Sequence, residues 1–193
     1  MPPRRLRPPG LPAAGFTLTE LLLVAALAAV LLTTALPSFQ SFLLRRHLNG
    51  QSAQWLADLQ FLRASAAGRQ SALRLTWLHN DAGSGWAIHD GAADACQPAT
   101  TSGSSGISGS SDPITCATGT LLLRSVWLPA NGRVGVQANV ASMRIDPRQG
   151  TLSPTGSWEL VAADGTRLRH VVNLLGRVRV CAPAGPVNGV PAC

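Results

Sequence analysis

The chain has 193 residues, 46% of them hydrophobic and 13% charged, with a formal net charge of +7. That length suits one domain of moderate size, and so apolar a composition excludes a disordered, highly charged chain. All 16 basic residues are arginines; without Arg4, Arg5 and Arg7, 13 arginines face 9 acids for a balance of +4, so only local clustering of charge can argue for a nucleic-acid partner.

Residues 1–15, "MPPRRLRPPGLPAAG", are basic and proline-rich. An apolar run follows, and from Leu21 to Leu36 it contains no charge. With Phe16–Glu20 ahead of it, this helix is about long enough to span a bilayer. The preceding arginines should hold its N-terminus on the cytoplasmic side. In an ordinary secretory signal the small-residue cleavage site follows the apolar core. Here "AAG" precedes it, so a cut between Gly15 and Phe16 would leave the apolar helix at a new N-terminus. Glu20 stands close to that new end, where a lone carboxylate in hydrocarbon is costly. Pro37 removes a helical hydrogen bond and should kink or loosen the helix.

Beyond Pro37, Leu48, Trp55, Leu59, Leu62 and Ala66 recur at three- and four-residue spacing, with Leu56 alongside. The spacing predicts a second helical stretch to about Ala67, with Gly68 as its stop. Asn49, Asp58, Arg63 and Arg69 are expected largely on other faces. The apolar stripe, Trp55 included, requires a partner, most simply a β-sheet.

From Ser71 the pattern becomes one of strands. "ALRLTWLH" alternates apolar and polar residues, and "GWAIHD" reads as a second strand linked to it through "NDAGS" as a hairpin. Thr100–Asp112 is a Ser/Gly-rich loop between Cys96 and Cys116. "TLLLRSVWLP" and "VGVQANVASMRIDP" supply further strands, and residues 149–183 read as a meander with a hairpin turn at Ala163–Asp164–Gly165. The expected fold class is α+β: a long N-terminal apolar helix packed on an antiparallel β-domain of about six to eight strands. In domain terms, 1–15 is a removable leader, 16–68 the helix and 69–193 a β-rich globular domain.

Four cysteines, Cys96, Cys116, Cys181 and Cys193, follow the targeting segment without any closely spaced pair, which favours two disulfides in an oxidising compartment over a metal site. The favoured pairs are sequence neighbours, Cys96 with Cys116 and Cys181 with Cys193; two other connectivities stay open.

No nucleophile elbow, P-loop or zinc-protease helix motif is present, and the four histidines are scattered. No enzymatic activity, cofactor or metal is therefore expected. The informative stretch lies near the C-terminus. Strand alternation in "GRVRV" puts Arg177 and Arg179 on one face and Val178 and Val180 on the other. Two residues along a strand span about 6.7 Å, comparable to the spacing of successive phosphates on a nucleic-acid strand. Arginine's planar fork suits phosphate because it donates two hydrogen bonds at once. Arg167 and Arg169 alternate on the preceding strand, and pairing of the two strands would gather four arginines near one surface. Such a row also describes the solvated face of an edge strand that resists sheet-to-sheet pairing.

"GFTLTE" at Gly15–Glu20, with the basic leader before it and the apolar helix with Pro37 after it, resembles the processing motif of type IV pilins and type II secretion pseudopilins. The resemblance covers about the first quarter of the chain. It implies that a prepilin peptidase cuts after Gly15 and N-methylates Phe16. It also implies passage through the inner membrane with a periplasmic C-terminal domain, then assembly with other pilins or pseudopilins into a pilus or periplasmic pseudopilus. In such a filament Glu20 would neutralise the freed amino group of Phe16 in a neighbouring subunit. A wrong register would strand both charges. Within the superfamily the chain most resembles the FimT/GspH group, on its long helix, β-rich body and closing "GRVR". That likeness implies a minor pilin in or near the pilus tip that binds extracellular double-stranded DNA for natural transformation through Arg177 and Arg179. Arg167 and Arg169 join them on the residue pattern alone. The alternatives are a minor pilin that primes pilus assembly and a GspH-like pseudopilin of type II secretion.

Overall fold

In this computed structural model the described residues are 17–99, 113–187 and 189–193, with side chains of 34–37 also left outside the description. The cleavage site at Gly15 and Phe16, the Ser/Gly loop and the kink at Pro37 therefore lie outside it. The chain divides into two compact units, Met1–Phe42 and Leu43–Cys193.

Helix α1 runs from Leu18 to Arg69. Thr17 precedes it, and its Oγ1 accepts from the Glu20 N–H at 3.3 Å. Thr17 and Glu20 stand at the spacing of a capping box, and a carboxylate in the first turn suits the positive end of the helix dipole. In the first unit Leu21, Leu23, Leu27 and Leu31 are all more than half exposed. Two hydroxyls there bond within the helix: Thr33 donates to the Val30 carbonyl and Ser41 to that of Ser38. Among the described residues no single helix is long and apolar enough to cross a membrane, although Leu18–Thr33 and Ser38–Arg69 together meet that length and composition.

The second unit is α+β. After α1 come β1 (Leu73–Asn80), β2 (Gly83–His89), β3 (Cys96–Pro98), β4 (Ile114–Cys116), β5 (Leu122–Pro129) and β6 (Val134–Ala138). Then follow β7 (Ser142–Ile145), β8 (Leu152–Ser153), β9 (Gly156–Ala162), β10 (Arg167–Val172) and β11 (Val178–Cys181). Among the described residues the strands form an antiparallel five-stranded sheet, β5-β2-β1-β7-β8, a four-stranded sheet, β11-β10-β9-β6, and the small ribbon β3-β4. These eleven strands exceed the six to eight expected, because short pieces such as β3, β4 and β8 are too brief to show alternation. The C-terminal meander is real from β9 to β11, but β8 leaves it to pair with β7 in the other sheet.

The apolar stripe of α1 enters the core as its spacing requires. Leu48, Trp55, Leu59, Leu62 and Ala66 are all buried beside residues of both larger sheets. Trp55 packs on Trp158 of β9 and His170 of β10, with ring centroids 5.6 and 4.9 Å away. Such aromatic contacts add to area burial when the rings are tilted or offset.

Three expectations about α1 need correction. The helix does not stop at Gly68 but continues to Arg69, and Gln70 takes the left-handed conformation, φ 51°, that closes it. Asp58 does not face water either. It is 1% exposed, accepting from Trp86 Nε1 on β2 at 2.8 Å and from Arg124 Nη1 on β5 at 2.6 Å. Its position three residues after Trp55 and four before Leu62 places it within the stripe. Arg63, also expected on another face, turns toward the body and donates to the Gly176 carbonyl at 3.1 Å.

Both disulfides join sequence neighbours. Cys96 faces Cys116 across the β3-β4 ribbon, and Cys181 at the end of β11 is tied to Cys193. The second bond returns the tail to the sheet, where Cys193 N–H donates to the Ala182 carbonyl and Ala182 N–H to that of Pro191.

Candidate functional site

The four-stranded sheet has one face on the core and one toward water. On β10 the alternation is complete: Leu168, His170 and Val172 are buried, while Arg167, Arg169 and Val171 point the other way. Register then fixes which residues share the outer face. Arg169 lies opposite Glu159 on β9 and Cys181 on β11, and Val171 lies opposite Ser157 and Arg179. Arg179 lies on the edge strand β11, and Arg177 two residues earlier is the exposed residue at the end of the turn that leads into it. Arg167, Arg169 and Arg179 are brought to one face, and Arg177 stands exposed just before β11.

They do not have equal freedom. Arg169 sets Nε and Nη2 against Glu159 Oε1, each at 2.6 Å, and Arg167 Nη1 lies 3.8 Å from Oε2. Glu159 is only 16% exposed, so it forms a half-buried counter-charge for both. No carboxylate follows Asp164 in the sequence, but this one precedes it and arrives through the β9-β10 hairpin. Arg177 and Arg179 are exposed and have no ion pair among the described residues. Val178, between them, packs against the core.

The position of Arg177 depends on a tight turn. Asn173 N–H donates to the Arg177 carbonyl at 3.1 Å, Gly176 N–H donates to the Asn173 carbonyl at 2.9 Å, and Arg177 N–H donates to Asn173 Oδ1 at 2.8 Å. Gly176 closes the turn at φ 70°, the three-residue hairpin geometry that ends in a left-handed residue. A Cβ here would stand 3.0 Å from Arg63 Nη1 and 3.2 Å from Leu152 Cδ1. Gly176→Ala is therefore expected to lower stability by about 1–2 kcal/mol, from left-handed strain and this close approach. Thermal unfolding of the variant should show a Tm several degrees below the parent's.

Beneath the arginine face lies a buried polar pair. His170 Nε2 and Ser52 Oγ are 2.7 Å apart. Burial lowers the His170 pKa from 6.5 to about 4, against a smaller raising effect of the Trp158 backbone. The imidazole is thus neutral at pH 7 and contributes no charge to the face above it. His89, buried and bonded to Thr76 Oγ1 at 2.8 Å, is also shifted down, first by burial and then by Arg74, with Asp90 opposing. His79 is exposed and stacked on Trp77 with centroids 4.1 Å apart. No group of three or more His, Cys, Asp or Glu side chains among the described residues could hold a metal ion.

Two crystal structures of the type IV minor pilin FimU from Pseudomonas aeruginosa resemble this chain. One is 18% identical with a TM-score of 0.47, covering 72% of this chain and 94% of its own. The other is 18% identical with a TM-score of 0.43, covering 70% and 96%. No protein-family model matches the chain, and no curated protein matches it.

Proposed function

We propose that this chain is a minor type IV pilin whose outer arginine row binds extracellular double-stranded DNA without sequence preference. The observation that carries the reading is the pair Arg177 and Arg179, exposed and without ion pairs among the described residues, at and just before the edge strand β11 of the four-stranded sheet. Phosphate contacts of this kind position a protein on a duplex but do not read its bases. Arg167 and Arg169 widen the positive surface, though Glu159 must be displaced or screened before either meets a phosphate. In this reading a prepilin peptidase cuts after Gly15 and methylates Phe16. Glu20 then meets the amino group of Phe16 in a neighbouring subunit, and the chain moves from the inner membrane to the pilus. Weak binding by one subunit would be compensated by repeated contacts along the same DNA.

A second reading rests on the exposed apolar side chains from Leu18 to Leu32, which suit any filament of packed helices. A minor pilin that primes assembly, or a pseudopilin of type II secretion, would carry them equally.

The test is gel retardation of duplex DNA by the full chain in non-ionic detergent, repeated over a salt series. Arg177→Ala with Arg179→Ala should weaken binding uniformly across sequences and lower the salt slope by about two. An unchanged affinity and slope would sink the DNA reading. A variant that binds DNA normally but abolishes pili would establish the priming role instead.

A further inference from the structure

The turn between β10 and β11 presents two leucines to water. Leu174 is 51% exposed and Leu175 58% exposed, although their neighbours are tightly held. The Asn173–Arg177 bonds close the turn from within. From below, Leu152 N–H donates to the Leu174 carbonyl at 2.8 Å and Arg63 donates to that of Gly176 at 3.1 Å. The leucines therefore stand on an anchored tip and cannot withdraw without breaking this set of bonds. Arg177 follows Leu175 by two residues and Arg179 by four, both exposed and without ion pairs among the described residues.

We propose that Leu174 and Leu175 are an apolar wedge that enters the minor groove of duplex DNA and partly unstacks a base step, while Arg177 and Arg179 hold the flanking phosphates. This inference rests on the DNA-binding reading above and adds how the duplex is engaged. Minor-groove proteins repeatedly combine arginines with an inserted Leu, Ile, Phe, Met or Pro, and the bend so produced brings more phosphate to the protein. The tip has both components within six residues, Leu174 to Arg179. An anionic bilayer would also accept leucines beside arginines. A fluid bilayer has no fixed headgroup repeat, however, whereas Arg177 and Arg179, two residues apart where the chain enters β11, are spaced at about the 6.7 Å of two extended residues, which meets one on a phosphate backbone. The wedge should prefer flexible pyrimidine–purine steps such as TA, where unstacking costs least.

The experiment uses the full chain in non-ionic detergent and short duplexes carrying aminopurine at a TA step or within a stiff A-tract. Binding by the parent should raise aminopurine fluorescence at the TA step and not in the A-tract. Leu174→Ser with Leu175→Ser should still retard DNA with the same salt slope but lose the fluorescence rise; near-UV circular dichroism checks that its fold is kept. Arg177→Ala with Arg179→Ala should lower the slope. If the parent retards DNA without any fluorescence rise, or the serine variant keeps the rise, the wedge is overturned and the DNA reading stands. If the parent does not retard DNA, both fail. Leucine-dependent binding to phosphatidylglycerol vesicles without base unstacking would assign the tip to a membrane instead.

Discussion

Arg124→Met is expected to lower the unfolding free energy by about 2–3 kcal/mol. Among the described residues, the variant leaves the Asp58 carboxylate, 1% exposed, with Trp86 Nε1 as its remaining hydrogen-bond donor and no counter-ion. Removing one partner of a buried pair usually costs about 3–5 kcal/mol. The expected loss is smaller because Arg124 is 44% exposed, so water already screens part of the attraction. Arg124 also lies over the Phe61 ring, 4.3 Å from its centroid, and methionine keeps much of that contact. Adding Asp58→Asn removes the stranded charge while retaining an acceptor for Trp86, so the double variant should recover most of the loss. Urea denaturation followed by tryptophan fluorescence reads the whole cycle. If Arg124→Met and the double variant fall equally, the pair is not electrostatically coupled.

Stability should also fall on acidification well before most carboxylates titrate. The unfolded chain binds a proton at His170 near pH 6.5, while the folded chain resists doing so until about pH 4. Below pH 6.5 the unfolded state therefore holds more protons, and stability declines as pH falls. It is unaffected by this residue above about pH 7. The decline amounts to roughly 1.4 kcal/mol per pH unit and about 3 kcal/mol in all by pH 4. His89 is shifted in the same direction and adds to the slope. His170→Gln offers Ser52 an amide partner without a titrating group. Its urea midpoint should be flatter between pH 6.5 and 4.5 than the parent's, with a residual slope from His89. An equal pH dependence in both proteins would show that His170 is not the group responsible.

The outward direction of Arg179 follows from the sequence alone, because strand alternation is a local property and Val178 beside it needs the core, whereas Arg177 precedes β11 and is placed by the turn that Asn173 and Gly176 close. The helical stripe from Leu48 to Ala66 is legible for the same reason, since its spacing records which side of α1 is dry. Both disulfides join neighbours that a short return of the chain brings together. Tertiary structure alone decided how the charges are balanced. Asp58 reads as polar and hence exposed until Trp86 and Arg124, 28 and 66 residues away, arrive to satisfy it. Arg167 and Arg169 read as a continuation of the positive row until β9 sets Glu159 between them. The assignment of β8 to the five-stranded sheet and β9 to the four-stranded one is likewise invisible in alternation, which reports a strand's faces and not its partners. Periodicity carries the direction of a side chain because it depends on neighbours along the chain. Pairing of charges and of strands depends on residues distant in sequence, and only the folded chain brings them within reach.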